Sequence, residues 1–437
     1  MGRALILAYY FPPLVGPASE RASSLTGHLL DLGWDPVVIT PRDGFYHRAP
    51  LDEPSVKFPV IRTPSLEISR VLRRIYGGKR LSAKESGTIR PVKPRRSGRS
   101  GDTVRSLVRD FIYLPDAQVG WIPFAIASAI SVLRHTRQPR IIYSTSVPYS
   151  AHLAAMAVSR LSGAAWVAEL RDPWSTSTSP HRSRRRVRRR IDRTIERRIV
   201  YSADHIIVTS ESTRQELLDA HPDLRPGGIS VVTNGFEPVP ERPSPPCDAP
   251  MTILYAGTVA AGEDMDPVLV ALDEVHAHYP GRFRLRVLGP EEPWQTLTSG
   301  IDRPWLELSG VVSPARAREA MAESSVLLLV QRHPAYRTVL PGKLFEYIGA
   351  RRPILAICPP ESEMEALVRR HADVRLVRPS APEELGSAVE QLLGEHSAGS
   401  IQGPRVPFSV TAQLRRSEQA AELASIFERL VQGVAEH

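Results

Sequence analysis

The sequence predicts a parallel α/β protein built as two domains, and three observations carry that prediction. At 437 residues the chain exceeds one ordinary core, so about 200 residues per domain are expected. Short apolar strands alternate with helix-length segments through both halves, the pattern of a parallel sheet covered by helices. Between the halves, 237–250 holds six prolines in fourteen residues, which neither a helix nor a central strand continues.

Taken in order, the first strand is expected at 4–8. The opening run Met1-Gly2-Arg3-Ala4-Leu5-Ile6-Leu7-Ala8 is too short in its apolar part for a signal peptide and lacks a cleavage-like region. Ile6 stands where Ser or Thr is needed for myristoylation. Further strands are expected at 36–40, 60–63, 140–144, 165–169, 205–209 and 229–233, each a short, mainly apolar run. The longest apolar stretch, 121–133, contains Pro123 and falls short of a membrane span. Segment 77–101 is rich in Gly, Ser and Arg with weak periodicity, and is expected to be a mobile insertion. After the linker, strands are expected at 251–256, 284–288, 326–330 and 354–357. A long amphipathic helix follows near 411–431, with Leu414, Ala421, Leu423, Ile426, Phe427 and Leu430 on one side. The expected domains are therefore 1–236, with a basic insertion near 70–109, and 251–408, with 409–437 as a terminal helix.

A composition of 42% hydrophobic and 24% charged residues is that of a soluble globular protein. The two cysteines, Cys247 and Cys358, show no metal-like spacing and read as reduced thiols in a cytosolic protein. The net charge of +9 is local in origin. Residues 70–109 carry +11 and residues 182–198 carry +8, so the rest of the chain carries −10. No Walker loop, serine elbow or His-Glu-x-x-His motif is present.

The chemistry-bearing segment is Pro341-Gly342-Lys343-Leu344-Phe345-Glu346-Tyr347-Ile348-Gly349-Ala350, followed by Arg351-Arg352-Pro353-Ile354-Leu355. A Pro-Gly turn opens a helix, and the β-branched run after Pro353 reads as a buried strand. Free N–H groups at a helix start, with Lys343 beside them, suit a phosphate. Glu346, one turn further in, is suited to accept two hydrogen bonds from a diol such as ribose. On these residues alone, a plain helix–strand unit with a surface Lys and Glu is an equal reading. Two loops in the first half leave strand ends, where doubly wound sheets bind ligands. In 9–16, Pro12-Pro13 stiffens the loop and Gly16 permits close backbone approach. Glu169-Leu170-Arg171-Asp172-Pro173-Trp174 offers Arg171 for a carboxylate or phosphate and Asp172 for a hydroxyl. The plainer readings are a Pro-rich loop and an internal Arg–Asp pair.

Set in order, Tyr10-Phe11-Pro12-Pro13 with Gly16, the Glu169–Trp174 block, Asn234-Gly235-Phe236, Tyr255-Ala256-Gly257-Thr258 and the Pro341 segment resemble glycosyltransferase family 4. The resemblance spans nearly the whole chain and implies the GT-B fold: α/β, two Rossmann-like domains facing across a cleft, with the last helix crossing back to the first domain. It implies a retaining transfer of sugar from a nucleotide-sugar donor, which is a substrate, with no cofactor and no metal. It places Gly16, Gly342, Lys343, Glu346 and Thr338 at the donor, with Arg332 and Arg337 as further cations for its diphosphate. Arg171 and Asp172 fall beside the reacting sugar as the catalytic candidates. The chain departs from the family at Thr338, where many members carry a Glu, and at Gly262-Glu263-Asp264-Met265-Asp266, where many carry a basic residue. Asp264-Met265-Asp266 spells a metal-binding Asp-x-Asp, but the two-Rossmann pattern does not use one.

Within 182–198, Val187, Ile191, Ile195 and Ile199 recur every four residues and read as a packing stripe, leaving Arg184, Arg185, Arg188 and Arg189 to face outward. At about 1 kcal/mol per basic residue near an anionic bilayer, a handful holds a protein on a membrane. Nucleic acid would use the same electrostatics, but no stacking aromatics lie in this run. The sequence thus predicts a cytoplasmic protein, peripheral on the inner face of the cell membrane, with a lipid-linked sugar acceptor in cell-surface polysaccharide or glycolipid assembly. The alternatives are a nucleotide-sugar epimerase of the same fold and a non-catalytic GT-B partner protein.

Overall fold

The computed structural model describes residues 2–14, 16–42, 56–66, 114–135, 140–172, 174, 186–239, 241–243, 245–259, 265–298, 301–381 and 383–435. The expected insertion at 70–109, with Arg184, Arg185 and the acidic positions Glu263 and Asp264, lies outside the described residues. Among the described residues the chain forms two compact units: one runs to Thr233 and resumes at Arg416, and the other is Asn234–Arg415.

The first unit is a parallel sheet of β1 (Arg3–Leu7), β2 (Asp35–Pro41), β3 (Val60–Thr63), β4 (Arg140–Thr145), β5 (Ala165–Leu170), β6 (His205–Val208) and β7 (Ile229–Val231). Their spatial order is β3-β2-β1-β4-β5-β6-β7. The register sets Leu5 between Val37 and Ile142, so successive β1 residues feed opposite faces. On one face Ala4 and Ile6 pack with Leu25 and Leu29 of α1 (Pro17–Asp31). On the other, Leu5 and Leu7 pack with Ala125 of α2 (Ile122–Arg134) and Ala155 of α3 (Ser150–Ser162). Two further helices, α4 (Arg186–Val200) and α5 (Glu211–Ala220), complete the crossovers.

The second unit holds β8 (Met251–Ala256), β9 (Phe283–Leu288), β10 (Leu306–Leu308), β11 (Val326–Val330), β12 (Ile354–Ile357) and β13 (Val374–Val377). They are parallel in the order β10-β9-β8-β11-β12-β13. The edge strands β10 and β13 were not expected. Each offers few apolar residues in a short run, and an edge strand gains half its hydrogen bonds from one neighbour only. Helices α6 (Asp266–His278), α7 (Glu291–Leu297), α8 (Pro314–Glu323), α9 (Gly342–Ala350), α10 (Glu363–His371) and α11 (Glu383–Ser397) cover the two faces.

The expected last helix is three pieces: α12 (Phe408–Thr411), a 3₁₀ turn at Ala412–Leu414, and α13 (Arg416–Ala435). Arg415 is extended, which breaks the helix where the chain passes back to the first unit. Leu414 consequently packs in the second unit, whereas Leu423, Ile426 and Phe427 pack against the first, and Ala421 faces outward. The division before Asn234 has a physical cause as well. Phe236 donates its N–H to the Leu414 carbonyl at 3.1 Å and lies wholly buried among second-unit side chains. The expected boundary at 236 therefore falls a few residues late.

Candidate functional site

In a doubly wound sheet the ligand crevice opens where the strand order reverses, outside the carboxyl ends of the strands. In the second unit that place lies between β8 and β11. Gly257 follows β8 there with φ of 107°, a conformation that favours glycine, and donates to the Leu288 carbonyl at 2.7 Å. Beside it Gly289 ends β9. A Cβ on Gly289 would meet the Gly257 carbonyl oxygen at 2.4 Å, so two glycines let the β8 and β9 ends touch.

Across this edge lies α9. Pro341 is its N-cap in an extended conformation, and Gly342, Lys343 and Leu344 form the first turn. The Lys343 ammonium sits 3.8 Å from the centre of the Tyr255 ring, and a Cβ on Gly257 would come within 4.0 Å of it. A cation over an aromatic face gains about 0.5–2 kcal/mol, so the ring holds the charge at the crevice. A second tie fixes the helix: the Ala256 N–H donates to the buried Tyr347 hydroxyl at 2.8 Å, and burial pushes that phenol well above its ordinary range. Glu346 is three residues on from Lys343, hence on the same helix face, and is partly exposed. Gly349 makes room for Phe236, whose ring would lie 2.3 Å from an added Cβ. Three of the ordered sequence blocks thus meet on α9.

The other expected donor residues scatter. Arg332 donates to the Pro379 carbonyl at 3.1 Å and lines a small pocket with Pro267, Val268, Ile357, Val377 and Arg378. Arg337 does not join this group, because its guanidinium is turned to the Pro360 carbonyl and to Glu361. Thr338 follows Arg337 in the segment between β11 and α9, where the Gln331 amide donates to the Val339 carbonyl at 3.0 Å. Arg378 is committed to Glu365 through a two-bond fork, and with Arg369 it holds that carboxyl down at about 2.

In the first unit the strand order reverses between β1 and β4. Gly16 caps α1 at φ 144°, and a Cβ placed there would meet nothing within 4 Å, so the space over this helix start is open. Pro17 at the first position leaves one N–H fewer for a ligand. The Glu169–Trp174 block begins at the end of β5. Asp172 is exposed and Arg171 half-buried, with the Arg171 Nε buried and without a hydrogen-bond partner among the described residues. The plainer alternative, an internal Arg171–Asp172 pair, is not formed; the Arg171 backbone instead holds the Thr209 and Ser146 hydroxyls, as acceptor and donor respectively. Trp174 stacks on Tyr149 at 3.9 Å.

Sequence reasoning passed over the groups beneath this edge. Glu169 is 1% exposed and paired with Arg21 of α1 at 2.6 Å, while its second oxygen accepts from Thr145 at 2.6 Å. Burial works against that charge, but Arg21 and Thr145 hold the carboxyl below its ordinary value. Nearby, the Trp166 indole N–H donates to the Ser144 hydroxyl at 2.8 Å, which also bonds the His152 Nδ1 at 2.8 Å. Burial lowers the His152 pKa to about 3, so the ring is neutral. In the sequence Glu169 stands only as the first letter of its block, and an Arg inside the α1 pattern and a His inside the α3 pattern do not mark a site by themselves.

On α4 the expected outward face needs correction at Arg188. Its side chain is 13% exposed, pairs with Asp192 at 3.0 Å and donates to the Pro115 carbonyl. The buried face of α4 is rotated from the expected stripe: Asp192, Glu196 and Ile199 are buried, Ile191 and Ile195 are partly covered, and Val187 is exposed. The Glu196 carboxyl lies 3.1 Å from the His221 Nε2, within hydrogen-bond reach. Arg189 is exposed as expected, together with Arg186, Arg190, Arg193, Arg197 and Arg198. Among the described residues no helix is long and apolar enough to cross a membrane, and no cluster of metal-ligating side chains is found.

Comparison with known proteins agrees with the motif resemblance. The Glycosyltransferase Family 4 model matches residues 89–239. No curated protein sequence matches. Among solved structures, the chain is similar to Anabaena Alr3699/HepE in complex with UDP and glucose, at 14% identity, a TM-score of 0.56, and coverage of 100% of this chain and 99% of that one. It is similar to the lipopolysaccharide outer core galactosyltransferase WaaB, at 14% identity and a TM-score of 0.54, covering 98% and 100%. The α,α-trehalose 6-phosphate synthase from Burkholderia multivorans aligns over 100% and 99%, at 12% identity and a TM-score of 0.59. At these identities the likeness is one of fold, and the fold they share with this chain is GT-B.

Proposed function

We propose that this chain, a glycosyltransferase of the GT-B fold, transfers a sugar from a nucleotide-sugar donor to a lipid-linked acceptor with retention at the anomeric carbon. The observation that carries the donor half is α9 at the reversal point of the second sheet, with Lys343 parked on Tyr255 beside Gly257. As the bond from the sugar to the diphosphate breaks, negative charge grows on the leaving group. A helix start and a fixed ammonium favour that charge without reorganising at the moment of reaction. Glu346, on the same face, accepts from the ribose hydroxyls. Uridine is the first base to try, because Alr3699/HepE was solved with UDP.

The acceptor half falls to the first unit, where Arg171 and Asp172 follow the end of β5, the strand next to the reversal point of its sheet, and Gly16 at the start of α1 is left to the donor. The exposed arginines of α4 supply a surface for anionic headgroups, which suits an acceptor carried by a lipid. The role belongs to the outer residues such as Arg189, since Arg188 is spent on Asp192. Cell-surface polysaccharide or glycolipid assembly is the setting such an acceptor implies.

Calorimetry with UDP tests the donor half. The parent should bind, and Glu346→Ala should lose about 1.5–3 kcal/mol, the usual cost of removing one charged hydrogen-bonding partner. Unchanged affinity would remove Glu346 from the site. Flotation with anionic vesicles tests the membrane half: binding should weaken as salt rises and as Arg189, Arg190 and Arg193 are replaced together. A protein that stays unbound at low salt refutes the membrane reading.

A further inference from the structure

We infer that the buried Arg21–Glu169 pair is the positioning element of the first unit's share of the reaction site, an inference that rests on the transferase reading above. Arg21 lies just over one turn beyond Gly16 on α1 and is 4% exposed. Its Nε and Nη2 both donate to one Glu169 oxygen, at 3.0 and 2.6 Å. The same guanidinium donates to the Val232 carbonyl at 2.9 Å and to the Thr233 carbonyl at 2.7 Å. Thr233 is the last residue of the first unit before the chain enters the second. One side chain therefore ties three things: the helix whose start is open at Gly16, the block that carries Arg171 and Asp172, and the exit of the chain.

The pair is closed on every side, and the groups it holds are not. Glu169 also accepts from Thr145, and its backbone carbonyl accepts from the Ser146 hydroxyl at 3.2 Å. Two residues on, the Arg171 Nε is buried without a hydrogen-bond partner among the described residues, and a Cβ on Gly16 would meet none of their atoms within 4 Å. Rigid support beneath unsatisfied groups is the arrangement expected of a site that waits for substrate. Stability alone gives no reason for the pair, because a buried ion pair adds little over apolar side chains of the same volume. What it adds is a fixed direction: a two-bond fork sets the angle between α1 and the end of β5, which a lysine would not.

Two variants, R21K and T145V, test this. R21K keeps the charge and loses the fork; T145V leaves the ion pair and frees one Glu169 oxygen. Melting temperature, UDP affinity by calorimetry, and donor cleavage with UDP-sugars are measured on each. R21K should keep donor KM and UDP affinity within about twofold while kcat falls on the order of 100-fold, the cost of misplacing reacting groups by about an ångström. T145V should show the same split at about tenfold. A merely structural pair would lower activity only in proportion to the unfolded fraction. Parental kcat per folded molecule in both variants therefore overturns the inference, and T145V alone decides it if R21K does not fold. If the parent binds UDP and cleaves a donor but the variants match it, only the positioning role fails. If the parent does neither, the transferase reading fails and takes this inference with it.

Discussion

At Gly349 two residue-scale effects oppose each other, and their sizes decide the outcome. Alanine is the better helix former by about 1 kcal/mol. Its Cβ, however, would lie 2.3 to 2.9 Å from three Phe236 carbons, and overpacking of a buried ring costs about 1–3 kcal/mol. Gly349→Ala should therefore lower the stability of the second unit, and the simultaneous Phe236→Leu change should recover part of it; a raised melting temperature in the single variant would contradict this packing. His152 makes a prediction about pH. Its folded pKa is depressed to about 3 by burial, below the ordinary value of 6.5, so the unfolded chain binds the proton first. Its stabilising contribution is complete above pH 6.5 and is lost as pH falls toward 3, at up to about 1.4 kcal/mol per unit. His205, lowered by burial and by Arg429, adds loss of the same sign. Denaturant midpoints between pH 7 and 5 should fall for the parent and fall less steeply for His152→Gln.

Among the elements, α4 shows what a hydrophobic pattern reveals and what it conceals. The repeat of Val187, Ile191, Ile195 and Ile199 gave the helix and roughly its inner side, but the deepest face carries Asp192 and Glu196. A periodicity of apolar residues cannot see carboxylates that become buriable only once Arg188 and His221 are folded against them. The consequence is asymmetric. Arg188→Ala strands a buried carboxylate and should destabilise the first unit by about 3–5 kcal/mol. Arg189→Ala changes an exposed residue and should stay within about 0.5 kcal/mol. Equal losses in thermal melts of the two variants would refute the rotated face. The same logic sorts the strands. Central ones such as β8, β11 and β12 are buried throughout and almost wholly apolar, and they matched the sequence reading residue for residue. The edges β10 and β13, Leu-Glu-Leu and Val-Arg-Leu-Val, mix charge into a short run and were invisible. At the candidate site, Lys343 and Glu346 were legible because a helix start is a local feature. The Tyr255 platform and the Arg21–Glu169 pair were not, since each joins residues far apart in sequence.

For the molecule as a whole, the first unit is discontinuous, and this makes it dependent on the end of the chain. The polypeptide leaves at Thr233, builds the second unit without interruption to Arg415, and returns as α13. That helix lies along α1 and places Ala420, Leu423, Ala424, Ile426 and Phe427 in the first unit's core, with Phe427 edge-on to Trp34 at 5.3 Å. Full burial of a large apolar side chain contributes about 1.5–3 kcal/mol, so the five together supply on the order of 5–10 kcal/mol. A domain's whole stability is about 5–15 kcal/mol. Losing α13 therefore removes most of what holds the first unit, including the α1 helix on which Gly16 and Arg21 are carried. The second unit keeps every residue of 234–415. A chain ending at residue 415 should show a single calorimetric transition where the full chain should show two. UDP should raise the temperature of that surviving transition, since Lys343 and Glu346, the proposed donor residues, belong to it. Should the shortened chain keep both transitions, α13 is a passive appendage and the first unit's core is sufficient without it.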